Sequence, residues 1–237
     1  MFIPLYDYNV LRTIKIPVVT RTLIVITVLF FIVFESGLVI DAQMASVGAF
    51  GVIPAEFYLG AGLRSELAVI PESLTLVTYM FLHSGWMHLI GNMLFLWVFG
   101  DNVEDAMGHA RFLVFYLLCG AAGGFAHAFA APTSEAPLIG ASAAVAGTLA
   151  AYVILHPRVK LWVLFLGRIP LKLSAMWIIG AWIAFQFFNL FIALDEETSY
   201  AAHIGGLVAG AVLIPFMRRP DVPLFDQGLP QSPVVKR

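Results

Sequence analysis

The chain carries little charge and almost no cysteine. Charged residues make up 12% of its 237 residues, against about 25% in an ordinary soluble domain. The single cysteine, Cys119, excludes an internal disulfide and any multi-cysteine metal site. There is no internal repeat, no basic patch suited to nucleic acid and no His-Glu-x-x-His pair. The formal net charge of −2 points to no class of partner. What fills the chain is apolar: 60% of its residues are hydrophobic and the mean hydropathy is +0.90.

That apolar content is gathered into runs. Six can be counted, at roughly 22–40, 80–100, 111–131, 140–156, 174–194 and 200–217; the fourth is short and starts with small residues. Runs of about 18 residues or more cross a bilayer as helices, because in lipid a backbone must satisfy its own hydrogen bonds. Basic residues test the count. Arg12, Lys15 and Arg21 precede the first run and Arg111 follows the second. Arg158, Lys160, Arg168 and Lys172 follow the fourth, and Arg218, Arg219, Lys236 and Arg237 end the chain. These are 12 of the 13 basic residues, and alternation puts them on one side. Only Arg64 lies opposite, among Glu56, Glu66, Glu72, Glu135, Asp195, Glu196 and Glu197. The expectation is an all-α membrane protein of six transmembrane helices with both termini cytoplasmic, in the inner membrane of a bacterium. The first run is also readable as a signal peptide. It starts some 20 residues in, exceeds a typical signal core and is followed by five more runs, so a first transmembrane helix is expected.

One domain is expected over residues 1–219. Residues 220–237, with Pro220, Pro223, Pro230 and Pro233, read as a disordered cytoplasmic tail. The loop at 41–79 is long for a connector. Its apolar residues (Phe50, Val52, Ile53, Phe57, Tyr58, Leu59) suit the membrane interface. It reads equally as a functional loop or as a flap that shields the bundle.

Polar side chains inside spans are expensive, so each needs a reason. Ser142 opens the fourth run in Gly140-Ala141-Ser142. A serine alone often bonds back to its own helix. Here Gly140 permits a close turn at the helix start and Gly147 leaves a groove. The unpaired N–H groups of that start suit an oxyanion. His203 opens the last run, one turn before Gly206, and Gly206 with Gly210 forms a small-xxx-small face for close helix contact. Ser142 and His203 are expected at the same depth within about one turn. In the second run His88 and Asn92 stand four apart on one helix face. An imidazole and a carboxamide can donate to an oxyanion; a mid-span amide also serves as interhelical glue. Zinc on His83, His88 and His203 is a weaker reading, since no carboxylate stands beside them. Asp101 falls at the cytoplasmic end, with no second buried aspartate at its depth. Glu35, inside the first run, has no partner that the sequence names.

Taken in order, these residues resemble the rhomboid family of intramembrane serine proteases, over about residues 72–217. The matching elements are His83-x4-His88-x3-Asn92 with Met93, Phe99-Gly100-x3-Glu104-x3-Gly108, Gly140-x-Ser142, and Ala202-His203-x2-Gly206-x3-Gly210. The resemblance implies Ser142 as nucleophile and His203 as general base, a dyad without aspartate. It implies His88 and Asn92 as oxyanion donors beside the Ser142 N–H. His83 and Glu104 would be structural, and the long loop would be a membrane-embedded flap. Gly140, Ala143, Gly206 and Gly210 would shape the site. The family usually reads Gly-x-Ser-Gly, and Ala143 takes the last place here. Single-span membrane proteins are the implied substrates within the bilayer, with no cofactor, metal or nucleic acid. Two rivals stand beside this reading. One is a silent relative that binds transmembrane helices without cutting them. The other is a small-molecule transporter, which would need buried charge pairs or broken helices along a through-path.

Overall fold

The computed structural model describes residues 2–59, 69–192 and 199–226. Leu59 is described for its backbone only. Arg64, Glu66, Asp195, Glu196, Glu197, Lys236 and Arg237, which entered the charge count, fall outside these residues, as does the expected tail beyond 226.

The protein is mostly helical. Helix α1 spans Val18–Phe30 and continues as a π-helical turn over Phe31–Glu35. Three short helices follow: α2 (Gln43–Phe50), α3 (Pro54–Leu59) and α4 (Glu72–Thr78). Then come α5 (Trp86–Met107), α6 (His109–Ala130), α7 (Ser142–Leu155), α8 (Ala175–Ile192) and α9 (Tyr200–Met217). Four stretches are long and apolar enough to cross a membrane: Val18–Glu35, His109–Ala130, Ala175–Ile192 and Tyr200–Met217. Helix α7 is apolar but shorter. Helix α5 has the length, and its last turns carry Asp101, Glu104 and Asp105.

Helix α7 is the centre of the bundle. It packs against α5, α6, α8 and α9, and only Ser142, Val153 and Ile154 escape full burial. Its small residues allow this. A Cβ added at Gly206 would lie 2.0 Å from the Ala143 carbonyl oxygen, and one at Gly210 would lie 2.3 Å from that of Gly147. Helices α7 and α9 therefore meet backbone to backbone, as the small-xxx-small face suggests.

The all-α expectation needs correction. Strands β1 (Phe2–Asp7), β2 (Lys160–Phe165) and β3 (Ile169–Ser174) form an antiparallel sheet in the order β1-β2-β3. In the sequence the connector after α7 stands out only as a basic loop. Its residues alternate: Leu161 and Val163 are buried, while Lys160 is exposed. A turn with Leu166 and Gly167 at positive φ reverses the chain. Period-two burial is the strand signature.

The sheet docks on the ends of α5 and α7 through Asp7. Its Oδ2 accepts from Asn102 Nδ2 at 2.9 Å and from the Tyr152 hydroxyl at 2.7 Å. Burial pushes the Asp7 carboxyl up to about 6; the Tyr152 hydrogen bond opposes this and nearby Asp101 adds to it. Carboxylates also cap backbone at this end. Glu104, fully buried, accepts from the N–H groups of Val19 and Thr20 at 3.0 and 2.8 Å. These belong to the first turn of α1, whose donors have no intrahelical partner. Asp105 accepts from the N–H groups of Arg12, Thr13 and Ile14 at 2.9, 2.7 and 2.7 Å.

Both ends of the described chain meet here. Arg12 pairs with Asp226 at 3.2 Å. The Phe225 and Asp226 N–H groups donate to the Ile154 and Leu155 carbonyls at the end of α7. Phe225 and Asp226 thus satisfy carbonyls that α7 leaves open, and Val222 and Leu224 pack against the core.

Candidate active site

The opposite end of the bundle holds the starts of α5, α7 and α9. The crossing of α7 with α9 brings the first residue of one beside the fourth of the other. His203 Nε2 lies 2.8 Å from Ser142 Oγ. Both residues are partly buried. Ser142 is the first helical residue of α7, so its own N–H has no carbonyl partner within the helix.

The segment before Ser142 is held from two sides. The Gly140 N–H donates to the Tyr79 carbonyl at 2.9 Å, and the Tyr79 hydroxyl donates to the Gly120 carbonyl at 2.7 Å. Val52, in the long loop, exchanges two backbone hydrogen bonds with Leu138 at 3.1 and 2.7 Å. Part of that loop is therefore a brace: Val52 is fully buried, while Tyr58 is about half exposed.

Gly140 has φ +114°, and a Cβ there would come within 2.6 Å of His88 Nε2 and 3.7 Å of Asn92 Nδ2. Only glycine fits this approach and this backbone. His88 and Asn92 thus face the turn that delivers Ser142. The Ser84 N–H and hydroxyl lie 3.5 and 3.1 Å from His88 Nδ1. The backbone donor makes Nδ1 an acceptor, which leaves the proton on Nε2, toward Gly140. Asn92 Nδ2 lies 3.1 Å from Nε2 of the fully buried His83. The His83 and His88 rings meet edge-on at 4.9 Å.

Ala143, which departs from the Gly-x-Ser-Gly pattern, is fully buried. Its methyl lies against α6: a Cβ at Gly123 would be 2.3 Å from it. The added carbon is accommodated by that glycine.

Several contacts at the site have no signal in the sequence. Glu35 Oε2 accepts the His83 N–H at 3.0 Å, which supplies the partner the sequence could not name. His127 Nδ1 lies 2.7 Å from Ser199 Oγ, and Ser199 caps α9 by accepting from the Ala202 N–H at 3.2 Å. Trp182 of α8 lies 5.9 Å from the His203 ring, tilted by 37°. Gln186 Oε1 lies 2.8 Å from His203 Nδ1. Gln186 is visible in the sequence as a polar residue in an apolar run; its target is not. Among the described residues, no three His, Cys, Asp or Glu side chains are grouped to hold a metal ion.

A sequence profile of the rhomboid domain matches residues 71–220, more than half of the chain. The chain belongs to the rhomboid family. Rhomboid relatives come from bacteria and from eukaryotes. The chain is 33% identical over 156 residues to rhomboid protease GluP of Bacillus subtilis, covering 65% of this chain and 28% of that protein. It is 32% identical over 142 residues to RHOMBOID-like protein 6, mitochondrial, of Arabidopsis thaliana, covering 60% and 43%. It is 26% identical over 137 residues to rhomboid protease GlpG of Salmonella paratyphi A, covering 57% and 45%. The chain thus spans less than half the length of each of these relatives. It is a membrane protein with several apolar helices.

Proposed function

We propose that this rhomboid is an intramembrane serine endopeptidase in which Ser142 is the nucleophile and His203 the general base. The observation that carries the reading is the 2.8 Å contact between His203 Nε2 and Ser142 Oγ, within reach for proton transfer. Two relatives are named as proteases, which supports the same reading.

Ser142 Oγ attacks a peptide carbonyl as its proton passes to His203 Nε2. The oxyanion receives hydrogen bonds from the Ser142 N–H, His88 Nε2 and Asn92 Nδ2. The imidazolium protonates the leaving amine, and water then releases the acyl group by the same route in reverse. No cofactor or metal takes part in these steps. A substrate helix must unwind locally first, because its carbonyls are already hydrogen-bonded; small residues at the cut lower that cost.

We place the reaction below the outer membrane surface. Helix α7 has 14 residues, a rise of about 21 Å, against a hydrocarbon core of about 30 Å. With its other end at the sheet, Ser142 is sunk by the difference. Six spans (α1, α5, α6, α7, α8 and α9), cytoplasmic termini, a bacterial inner membrane and single-span protein substrates complete the proposal.

The test is cleavage of a single-span substrate by purified protein in detergent, with labelling by a fluorophosphonate. Wild type is expected to cleave and to be labelled, and Ser142→Ala and His203→Ala to lose both. Cleavage that survives either substitution would sink the dyad. Wild type that neither cleaves nor reacts would favour a rhomboid that binds helices without cutting them.

A further inference from the structure

Helix α8 has two buried amides, and they behave differently. Asn189 Nδ2 donates back to the Phe185 carbonyl of its own helix at 2.8 Å, the ordinary way to satisfy a polar group in an apolar span. Gln186 instead reaches across to α9, where its Oε1 meets His203 Nδ1 at 2.8 Å. It is 97% buried, its relative exposure being 3%. One turn earlier on the same face, Trp182 lies beside the same imidazole.

The contact has a chemical consequence. A neutral imidazole carries one proton, and the hydrogen bond at one nitrogen decides where it sits. An amide oxygen can only accept, so Nδ1 must hold the proton and Nε2 is left with a free lone pair. That lone pair faces Ser142 Oγ. With the proton on Nε2, the imidazole would donate to Ser142 and could not take its proton. The dyad alone does not select between these two forms, because a serine hydroxyl both donates and accepts.

We infer that Gln186 is the positioning residue of His203, its side-chain oxygen holding the imidazole in the Nδ1–H form and in the rotation that serves Ser142. This rests on the reading of Ser142 and His203 as nucleophile and base. The group that orients the base comes from a different helix from either member of the pair, so the base is competent only while α8 is seated on α9. A bland role as α8–α9 glue would leave the imidazole's proton free to choose.

The test uses the full chain in detergent with ring-15N-labelled histidine, the His203 signals being assigned by their loss in His203→Ala. Gln186→Met keeps length and volume without the amide, and Gln186→Glu keeps an acceptor oxygen. In wild type the expected state is a protonated Nδ1 and a bare Nε2. In Gln186→Met the tautomers mix and kcat falls, by up to about ten-thousandfold as when a general-base histidine is left in the wrong tautomer, with KM little changed. In Gln186→Glu the Nδ1–H form returns and kcat recovers. A wild-type spectrum with the proton on Nε2, or a Gln186→Met spectrum and kcat equal to wild type, would overturn the inference. The spectra do not depend on turnover. A wild type that fails to cleave while its tautomer responds to Gln186→Met would support the positioning and sink the protease reading alone.

Discussion

His88 and His203 are held in opposite tautomers by opposite partners. Ser84 donates to Nδ1 of His88, which makes that ring a donor through Nε2. Gln186 accepts from Nδ1 of His203, which makes that ring an acceptor through Nε2. In the proposed mechanism one stabilises developing negative charge and the other removes a proton. Asn92 faces the same turn as His88, and its loss tests the oxyanion role. Asn92→Ala is expected to lower kcat by about a hundredfold to a thousandfold, as removal of one such donor does elsewhere. Unchanged kcat in a folded variant would reduce Asn92 to a partner of His83. Ser142, His203, His88 and Asn92 were legible in the sequence because each is an unexpected polar residue beside glycine or at helical spacing. The partners of Gln186, Glu35, His127 and Ser199 are not legible, because each lies 17 or more positions away and no spacing rule links them.

Elements are joined at the sheet end by buried carboxylates. Strand β1 is tied to α5 and α7 through Asp7, whose carboxyl burial pushes up to about 6 from an ordinary 3.8. The folded state therefore holds the proton more tightly than the unfolded chain. Stability from this group is fully present below about pH 4 and is lost as pH rises through about 6. Asp7→Asn keeps an acceptor for Asn102 and Tyr152 and removes the titration. Its melting temperature is expected to exceed wild type at pH 7.5, and the loss of stability between pH 4 and 7 is expected to flatten. An identical pH profile in both proteins would refute this account of Asp7. The helices of the bundle followed from apolar runs and their ends from charge. The strands do not follow in the same way, because each has only six residues and lies outside the apolar runs. The alternation of β2 has meaning only once the bundle offers a surface to bury Leu161 and Val163.

For the whole molecule, the distribution of charge sets the orientation in the membrane. Both ends of the described chain lie at the sheet end, joined by Arg12 and Asp226, and Lys160, Arg168 and Lys172 stand on or between the strands there. The proposed orientation puts this end in the cytoplasm. Cys119 is fully buried, so it is a silent background for single-cysteine labelling. Met44 and Leu166 are exposed near opposite ends. Met44→Cys is expected to react with an impermeant maleimide in intact spheroplasts, and Leu166→Cys only after permeabilisation. The reverse pattern would invert the topology.

The sequence by itself determined the membrane class, the apolar runs and the residues that open them. Hydropathy and charge are sums along the chain, and a bilayer responds to such sums regardless of which helices become neighbours. Only the tertiary structure decided that His203 reaches Ser142, that Gln186 reaches His203, that Glu35 holds the His83 backbone and that a sheet closes one end. Those contacts depend on how far helices approach and how each is rotated. The approach of α7 and α9 is set where a bare Gly206 admits the Ala143 carbonyl, a fit between two surfaces that neither run reveals alone.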